Sequence, residues 1–123
     1  MMSKQALIID DVKMNRVVLK SYLAFKGFIV DEAEDGLAAY KKIKQKKYDI
    51  IFSDIDMPNM NGLELLARIQ KDTSLKGTPV VMLTTHDTKE VIEKARQLGA
   101  LYHIVKPYTE IQIAAAMKAV GLG

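Results

Sequence analysis

Two aspartates, Asp10 and Asp11, stand side by side near the start of the chain, and Asp54 and Asp56 stand one residue apart near its middle. Thr84, Thr85 and His86 follow, then His103 and the pair Lys106-Pro107. Each has an ordinary role when taken alone. Asp11 can cap a helix, Thr84 can cap the next one, and Lys106 can be a surface lysine beside a turn. Brought to one place, they would do chemistry. Clustered carboxylates raise one another's pKa values unless a cation joins them. Oxygen-only donors suit a hard ion such as Mg²⁺ or Mn²⁺. The chain has no Cys and only two His, which lack ligand spacing with the acids, so the set argues against zinc. A carboxylate such as Asp54 can attack phosphorus and form an acyl phosphate. A lysine can pair with the phosphate, and a threonine hydroxyl can donate to one of its oxygens. These are the parts that phosphoryl transfer needs.

Such residues need a scaffold that gathers them. Short apolar runs at 6–10, 28–33, 48–54, 79–84 and 101–105 predict strands rich in Ile, Val and aromatic residues. Three of them are nearly continuous apolar stretches, the pattern of strands covered on both faces. Between them lie segments with helical spacing. Residues 12–26 offer Val17, Val18, Leu23 and Phe25 as the apolar set, and Gly27 closes the segment. Asp35 predicts the N-cap of a helix over 36–47. Helices follow over 62–72 with Leu63, Leu65, Leu66 and Ile69, and over 88–98 with Val91, Ile92, Ala95 and Leu98. The last covers 109–120 with Ile111, Ile113, Ala114, Met117 and Val120. Strict strand–helix alternation predicts an α/β fold, an open parallel sheet with helices on both faces. Five strands are too few for an eight-fold barrel, so a doubly wound sheet remains. In such sheets ligands bind beyond the carboxyl ends of the strands. Asp10, Asp11, Asp54, Thr84 and Lys106 all fall at those ends.

Composition sets the outer bounds. A length of 123 residues predicts a single domain over 1–123, large enough to bury a core without staples. The absence of Cys gives no support to a disulfide-built secreted fold and fits a cytoplasmic protein. No run approaches a membrane span, and the start lacks the long apolar stretch of a signal peptide. Net charge is +3. The lysine run at 41–47 is read as a solvated helix face, with no direct nucleic-acid binding expected.

The spacing of Asp10-Asp11, Asp54 followed by Met57-Pro58 and Gly62, Thr84, and Lys106-Pro107 resembles the receiver domain of two-component response regulators. The likeness spans the chain from first strand to last helix, and in length it is closest to the stand-alone chemotaxis Y-type regulators. The resemblance implies a flavodoxin-like (βα)5 sandwich with strand order 2-1-3-4-5, an order that the general rules for doubly wound sheets already attach to the chemotaxis receiver. It implies Asp54 as phosphoacceptor, with Asp11 binding Mg²⁺ directly and Asp10 mainly through water. The main-chain carbonyl of Asp56 would complete the coordination. Thr84 and Lys106 would move toward the phosphoryl group, and the Lys106–Pro107 bond would be cis. The implied partners are a histidine kinase or phosphotransfer protein as donor and an output protein on the face over 88–120. A flagellar motor switch is one such output, and a phosphate sink or relay intermediate would look the same. The implied state is a monomer or weak dimer that catalyses only its own phosphorylation and dephosphorylation.

Three places depart from the family pattern. His103 stands where Tyr or Phe is usual, either as a switch sensitive to protonation or as a plain surface residue. Thr85 stands where Ala or Gly is common and would narrow access to Asp54. Asp56 and His86 occupy positions that tune phosphoryl lifetime, through metal binding, a water, or acid–base action. A different class, the haloacid-dehalogenase-like phosphatases, also uses a D-x-D at a strand end. That motif sits on the first strand, with an acidic pair after the lysine. Here D-x-D lies mid-chain and the acidic pair precedes it.

Overall fold

The structure is a computed structural model that describes residues 3–75, 77–85 and 88–122. Five strands alternate with five helices: β1 (Gln5–Ile9), α1 (Lys13–Phe25), β2 (Ile29–Ala33), α2 (Gly36–Gln45), β3 (Ile50–Asp54), α3 (Gly62–Lys71), β4 (Val80–Thr84), α4 (Lys89–Gln97), β5 (Tyr102–Val105) and α5 (Glu110–Ala119). Every element lies within two residues of its expected bounds. All strand pairs are parallel, in the order β2-β1-β3-β4-β5. The three central strands are the continuous apolar runs, and their residues are buried almost throughout.

Successive strand residues face opposite sides of the sheet and feed two cores. Leu7, Ile9, Ile51, Val80 and Met82 pack with Ile43, Leu65, Leu66 and Ile69 on the α2–α3–α4 side. Ala6, Ile8, Phe52, Val81, Leu83 and Ile104 pack with Leu19, Leu23, Ile113 and Met117 on the α1–α5 side. Burying side chains such as Phe52 or Leu65 contributes about 1.5–3 kcal/mol each. Two-sided burial therefore makes the central strands the stiffest part of the molecule, and their carboxyl ends hold the polar residues of interest.

The helices begin where local chemistry starts them. Asp35 accepts from the amide of Ala38 at 2.8 Å and caps α2 as expected. Asn61 and Glu64 form a reciprocal capping box on α3, and Thr109 and Gln112 form another on α5. Two of the ordinary roles considered above do not hold. The N-cap position of α1 is Val12, whose amide bonds to Asp10 and not to Asp11. The cap of α4 is Thr88, which accepts from Val91, and Thr84 stays at the end of β4.

The apolar set assigned to α1 needs correction. Leu19 and Leu23 are its buried residues, while Val17, Val18 and Phe25 are exposed. Ile111 on α5 is exposed as well, and Ile113, Ala116 and Met117 carry the packing. Apolar residues lie on more than one side of α1, so periodicity alone does not choose the inner face.

Candidate functional site

Asp10 follows β1 and Asp54 ends β3, and the two strands are neighbours in the sheet. Both carboxylates are buried, Asp10 at 1% and Asp54 at 6% exposure. Asp11 turns outward and is exposed. One carboxylate oxygen from each of Asp10, Asp11 and Asp54 lies within 4.8 Å of the others. Lys106 reaches in from the end of β5. Its Nζ lies 2.9 Å from Asp10 Oδ2 and 3.4 Å from Asp54 Oδ1. The backbone holds this lysine in place, because its amide donates to the Thr84 carbonyl at 2.7 Å. The peptide bond from Lys106 to Pro107 is cis, as the resemblance implied. Thr84 is buried at the end of β4.

Three carboxylates share one nearby ammonium, and the electrostatics reflect it. Burial pushes the Asp54 carboxyl up to about 6; the Lys106 charge opposes this and the Asp10 charge adds to it. Burial works against the Lys106 charge too. Its contacts with Asp10 and Asp54 outweigh burial, and its pKa lies above the ordinary lysine value. Such a site has excess negative charge and only oxygen donors. It fits a hard divalent cation with part of its hydration retained on the open, Asp11 side.

The loop after Asp54 is fixed at both ends by close backbone approaches. Ile55 donates to Asp54 Oδ1 at 2.9 Å, and Gly62 donates back to the Ile55 carbonyl at 2.9 Å. A Cβ on Gly62 would lie 2.2 Å from the Asp54 carbonyl oxygen. At the loop's outer side, Gly36 donates to the Met60 carbonyl, and a Cβ there would lie 2.2 Å from the same oxygen. Asn59 takes a left-handed φ of 67° and donates to Asp35 Oδ2 at 2.8 Å. Asp56 lies in this clamped loop, with its side chain exposed.

The remaining expected residues are spread around the rim. Thr85 is exposed at its edge. His103 is exposed on β5 and lines a groove of about 410 Å³ with Ile92, Leu101 and Tyr102. His86 lies outside the described residues. Two neighbours of Asp10 were not anticipated. Asn15 Nδ2 donates to Asp10 Oδ2 at 3.2 Å. Arg16 donates to the Asp10 carbonyl at 2.7 Å and pairs with Glu32 at 3.1 Å. Their signal was position: the first turn of a helix that follows a strand end faces the rim. Lys44 and Lys46 of the lysine run pair with Asp72 and Asp31. No helix among the described residues is long and apolar enough to cross a membrane.

Comparison with known proteins agrees with this geometry. The family model described as response regulator receiver domain matches residues 6–118. Chemotaxis protein CheY-3 of Vibrio cholerae is 40% identical over 104 residues, covering 84% of this chain and 80% of that protein. Chemotaxis protein CheY of Pseudomonas aeruginosa is 36% identical over 104 residues, 84% of each chain. The structure of Vibrio cholerae CheY4 superposes with a TM-score of 0.91 at 29% identity, covering 97% of this chain and 99% of that one. The receiver domain of a histidine kinase from Syntrophus aciditrophicus superposes with a TM-score of 0.88 at 25% identity, covering 96% of this chain and 89% of that one. With its five-stranded order, its buried aspartates and its strand-end lysine, the chain belongs to the response regulator receiver family of two-component signalling.

Proposed function

We propose that this chain is a single-domain response regulator, one receiver over 1–123, that accepts a phosphoryl group from a phosphohistidine onto Asp54. One observation carries this: Asp54 is a buried carboxylate at the end of a rigid strand, within reach of two other carboxylates and 3.4 Å from Lys106. Asp54 ionises near 6, so the nucleophilic carboxylate is the majority form at neutral pH. Its oxygen forms a bond to phosphorus as the phosphorus–nitrogen bond of the donor breaks. The electron pair returns to the imidazole nitrogen, which then takes up a proton. Fixed geometry is what a displacement of this kind requires.

Asp10, Asp11, Asp54 and the Asp56 carbonyl would hold Mg²⁺, with Mn²⁺ as a substitute. When bound, the ion neutralises charge on the transferring oxygens. The Lys106 ammonium is held by Asp10 and stands beside Asp54, so an arriving phosphoryl oxygen competes for it directly. The Thr84 hydroxyl donates to another phosphoryl oxygen. Thr85 narrows the approach, Asp56 and His86 set how fast water removes the group, and His103 acts on the output side. The activity is self-directed: the protein phosphorylates and dephosphorylates only itself. Its donor is a histidine kinase or phosphotransfer protein, its output partner binds the face over 88–120, and it works in the cytoplasm. Its chemotaxis relatives favour motor control as the output, and a kinase receiver among its structural neighbours favours a phosphate sink or relay step as the second reading.

Intact mass after incubation with acetyl phosphate tests the assignment. The expected result is a Mg²⁺-dependent gain of one phosphoryl group that is lost in Asp54→Asn. A gain that persists in Asp54→Asn would move the acceptor elsewhere.

A further inference from the structure

Asp10 has more donors than its resting state needs. Its carboxylate is fully buried. Oδ1 accepts from the Val12 amide at 2.9 Å. Oδ2 accepts from the Lys106 ammonium at 2.9 Å and also from Asn15 Nδ2 at 3.2 Å. A carboxylate oxygen has about two lone-pair sites, so Oδ2 is filled. Charge-assisted bonds are the shorter and stronger kind. The ammonium therefore holds the better position on Oδ2, and the Asn15 bond lies at the long end of the ordinary N–H···O range. Val12 and Lys106 alone would satisfy both oxygens. Asn15 is surplus for as long as the lysine stays.

The need arises when the lysine turns away. Lys106 Nζ lies 3.4 Å from Asp54 Oδ1, so a phosphoryl oxygen on Asp54 competes with Asp10 for the same ammonium. The more closely Nζ binds that oxygen, the weaker its hold on Asp10. A buried ionised oxygen that loses its donor carries a large desolvation cost, because water cannot replace what left. Asn15 is a donor already aimed at that atom. Its side chain is neutral, so the phosphoryl charge does not draw it off as it draws the ammonium. Its place is fixed as well. The Asn15 amide donates to the Val12 carbonyl at 3.1 Å. The next residue, Arg16, donates to the Asp10 carbonyl at 2.7 Å and pairs with Glu32 at 3.1 Å. The first turn of α1 is thus tied to both the main chain and the side chain of Asp10. From there Asn15 can shorten its bond by about 0.3 Å and stay within ordinary geometry.

We propose that Asn15 is a positioning residue for phosphoryl transfer: it holds the buried Asp10 oxygen while the Lys106 ammonium turns to the phosphoryl group on Asp54. This rests on Asp54 as the acceptor. Asn15→Leu keeps the size of the side chain and removes the donor. With acetyl phosphate and saturating Mg²⁺ it should label Asp54 about tenfold more slowly than the wild type, the worth of one hydrogen bond to a charged group. Asn15→Gln keeps an amide and should label faster than Asn15→Leu. Made in a Lys106→Met background, Asn15→Leu should slow labelling no more than about twofold, because Asp10 then has the same donors before and after transfer. A second cycle needs no chemistry. In EDTA, Asn15→Leu should lower the urea midpoint of Lys106→Met at least about twice as far as that of the wild type, since only there does Oδ2 lose both donors. The proposal is overturned if Asn15→Leu labels as fast as the wild type, if more Mg²⁺ restores its rate, or if Asn15→Gln labels no faster. It is also overturned if Asn15→Leu slows Lys106→Met as much as it slows the wild type, or if the two urea effects simply add. If acetyl phosphate with Mg²⁺ does not label the wild type, or labels Asp54→Asn equally, the acceptor assignment itself falls and this proposal with it.

Discussion

The two ends of the sheet treat the same residue type in opposite ways. At the end away from the site, Asp72 receives Lys44 at 2.6 Å and the amide and hydroxyl of Ser74. Its carboxyl is held down at about 2, chiefly by the bond from Lys44. Asp31 on the edge strand is partly buried, which alone would raise its pKa. The hydrogen bonds from Tyr48 at 2.7 Å and Lys46 at 3.0 Å outweigh burial, and the net shift is downward. At the carboxyl end, Asp54 sits above the usual carboxylate range with a shared lysine as its cation. Asp72 and Asp31 each have a lysine of their own. The rim acids are left short of positive charge, which is the condition a cation and a phosphoryl group relieve.

The largest effect should come from removing the shared lysine. Lys106→Met leaves two buried carboxylates without their ammonium, and should cost about 3 kcal/mol of stability at pH 7. Mg²⁺ should restore part of that loss. Urea midpoints with and without the ion check this; a variant as stable as the wild type would break the contrast between the two ends.

Asp54→Asn should act in the other direction and stabilise the metal-free protein by about 3 kcal/mol at pH 7.5. The sign follows from the pKa. The folded value of about 6 exceeds the ordinary 3.8, so the folded state binds the proton more tightly. Wild-type stability should therefore match that of the variant below about pH 4, fall behind it as pH rises to 6, and stay parallel above that. Urea midpoints across pH 4–8 give the curve. Mg²⁺ should stabilise the wild type and do much less for the variant.

Gly36→Ala should cost about 2 kcal/mol by pushing against the Met60 carbonyl. It should also weaken Mg²⁺ binding, because the displaced loop carries Asp56. Calorimetric titration with Mg²⁺ beside thermal unfolding separates the two effects; a lowered melting point with unchanged metal affinity would show that the clamp serves the fold alone. The smallest change belongs to the far end. Lys44→Met should move the urea midpoint at pH 7 very little, since the pair lies at the surface within reach of solvent screening. Any stability that Asp72 adds is present above about pH 4 and is lost as pH falls toward 2.

Most of this arrangement was legible before the structure. Three nearly continuous apolar runs suited strands covered on both faces. With strict strand–helix alternation they predicted a parallel sheet and so which residues fall at its carboxyl ends, while the strand order came from the family resemblance. The face of α1 was not legible. Met14, Val18 and Phe25 are as apolar as Leu19 and Leu23, and a helix with two apolar sides has no unique inward orientation. What orients it is polar: Arg16 binding Glu32 and the Asp10 carbonyl, and Asn15 binding Asp10. Contacts of that kind join residues brought together only by the fold. The Asn59–Asp35 bond escaped notice for the same reason, since it depends on two loops meeting.

The close approaches at Gly36 and Gly62 separate what maintains this architecture from what makes it signal. Any larger side chain at either position collides with main-chain atoms whatever Asp54 does. A descendant that had lost its acidic cluster and no longer responded to any kinase would still lose stability on replacing either glycine. Their presence in a related chain thus reports inherited shape, whereas the aspartates and the strand-end lysine report a working switch. Degenerate receivers should be recognisable as chains that retain the first pair and have let the second set drift.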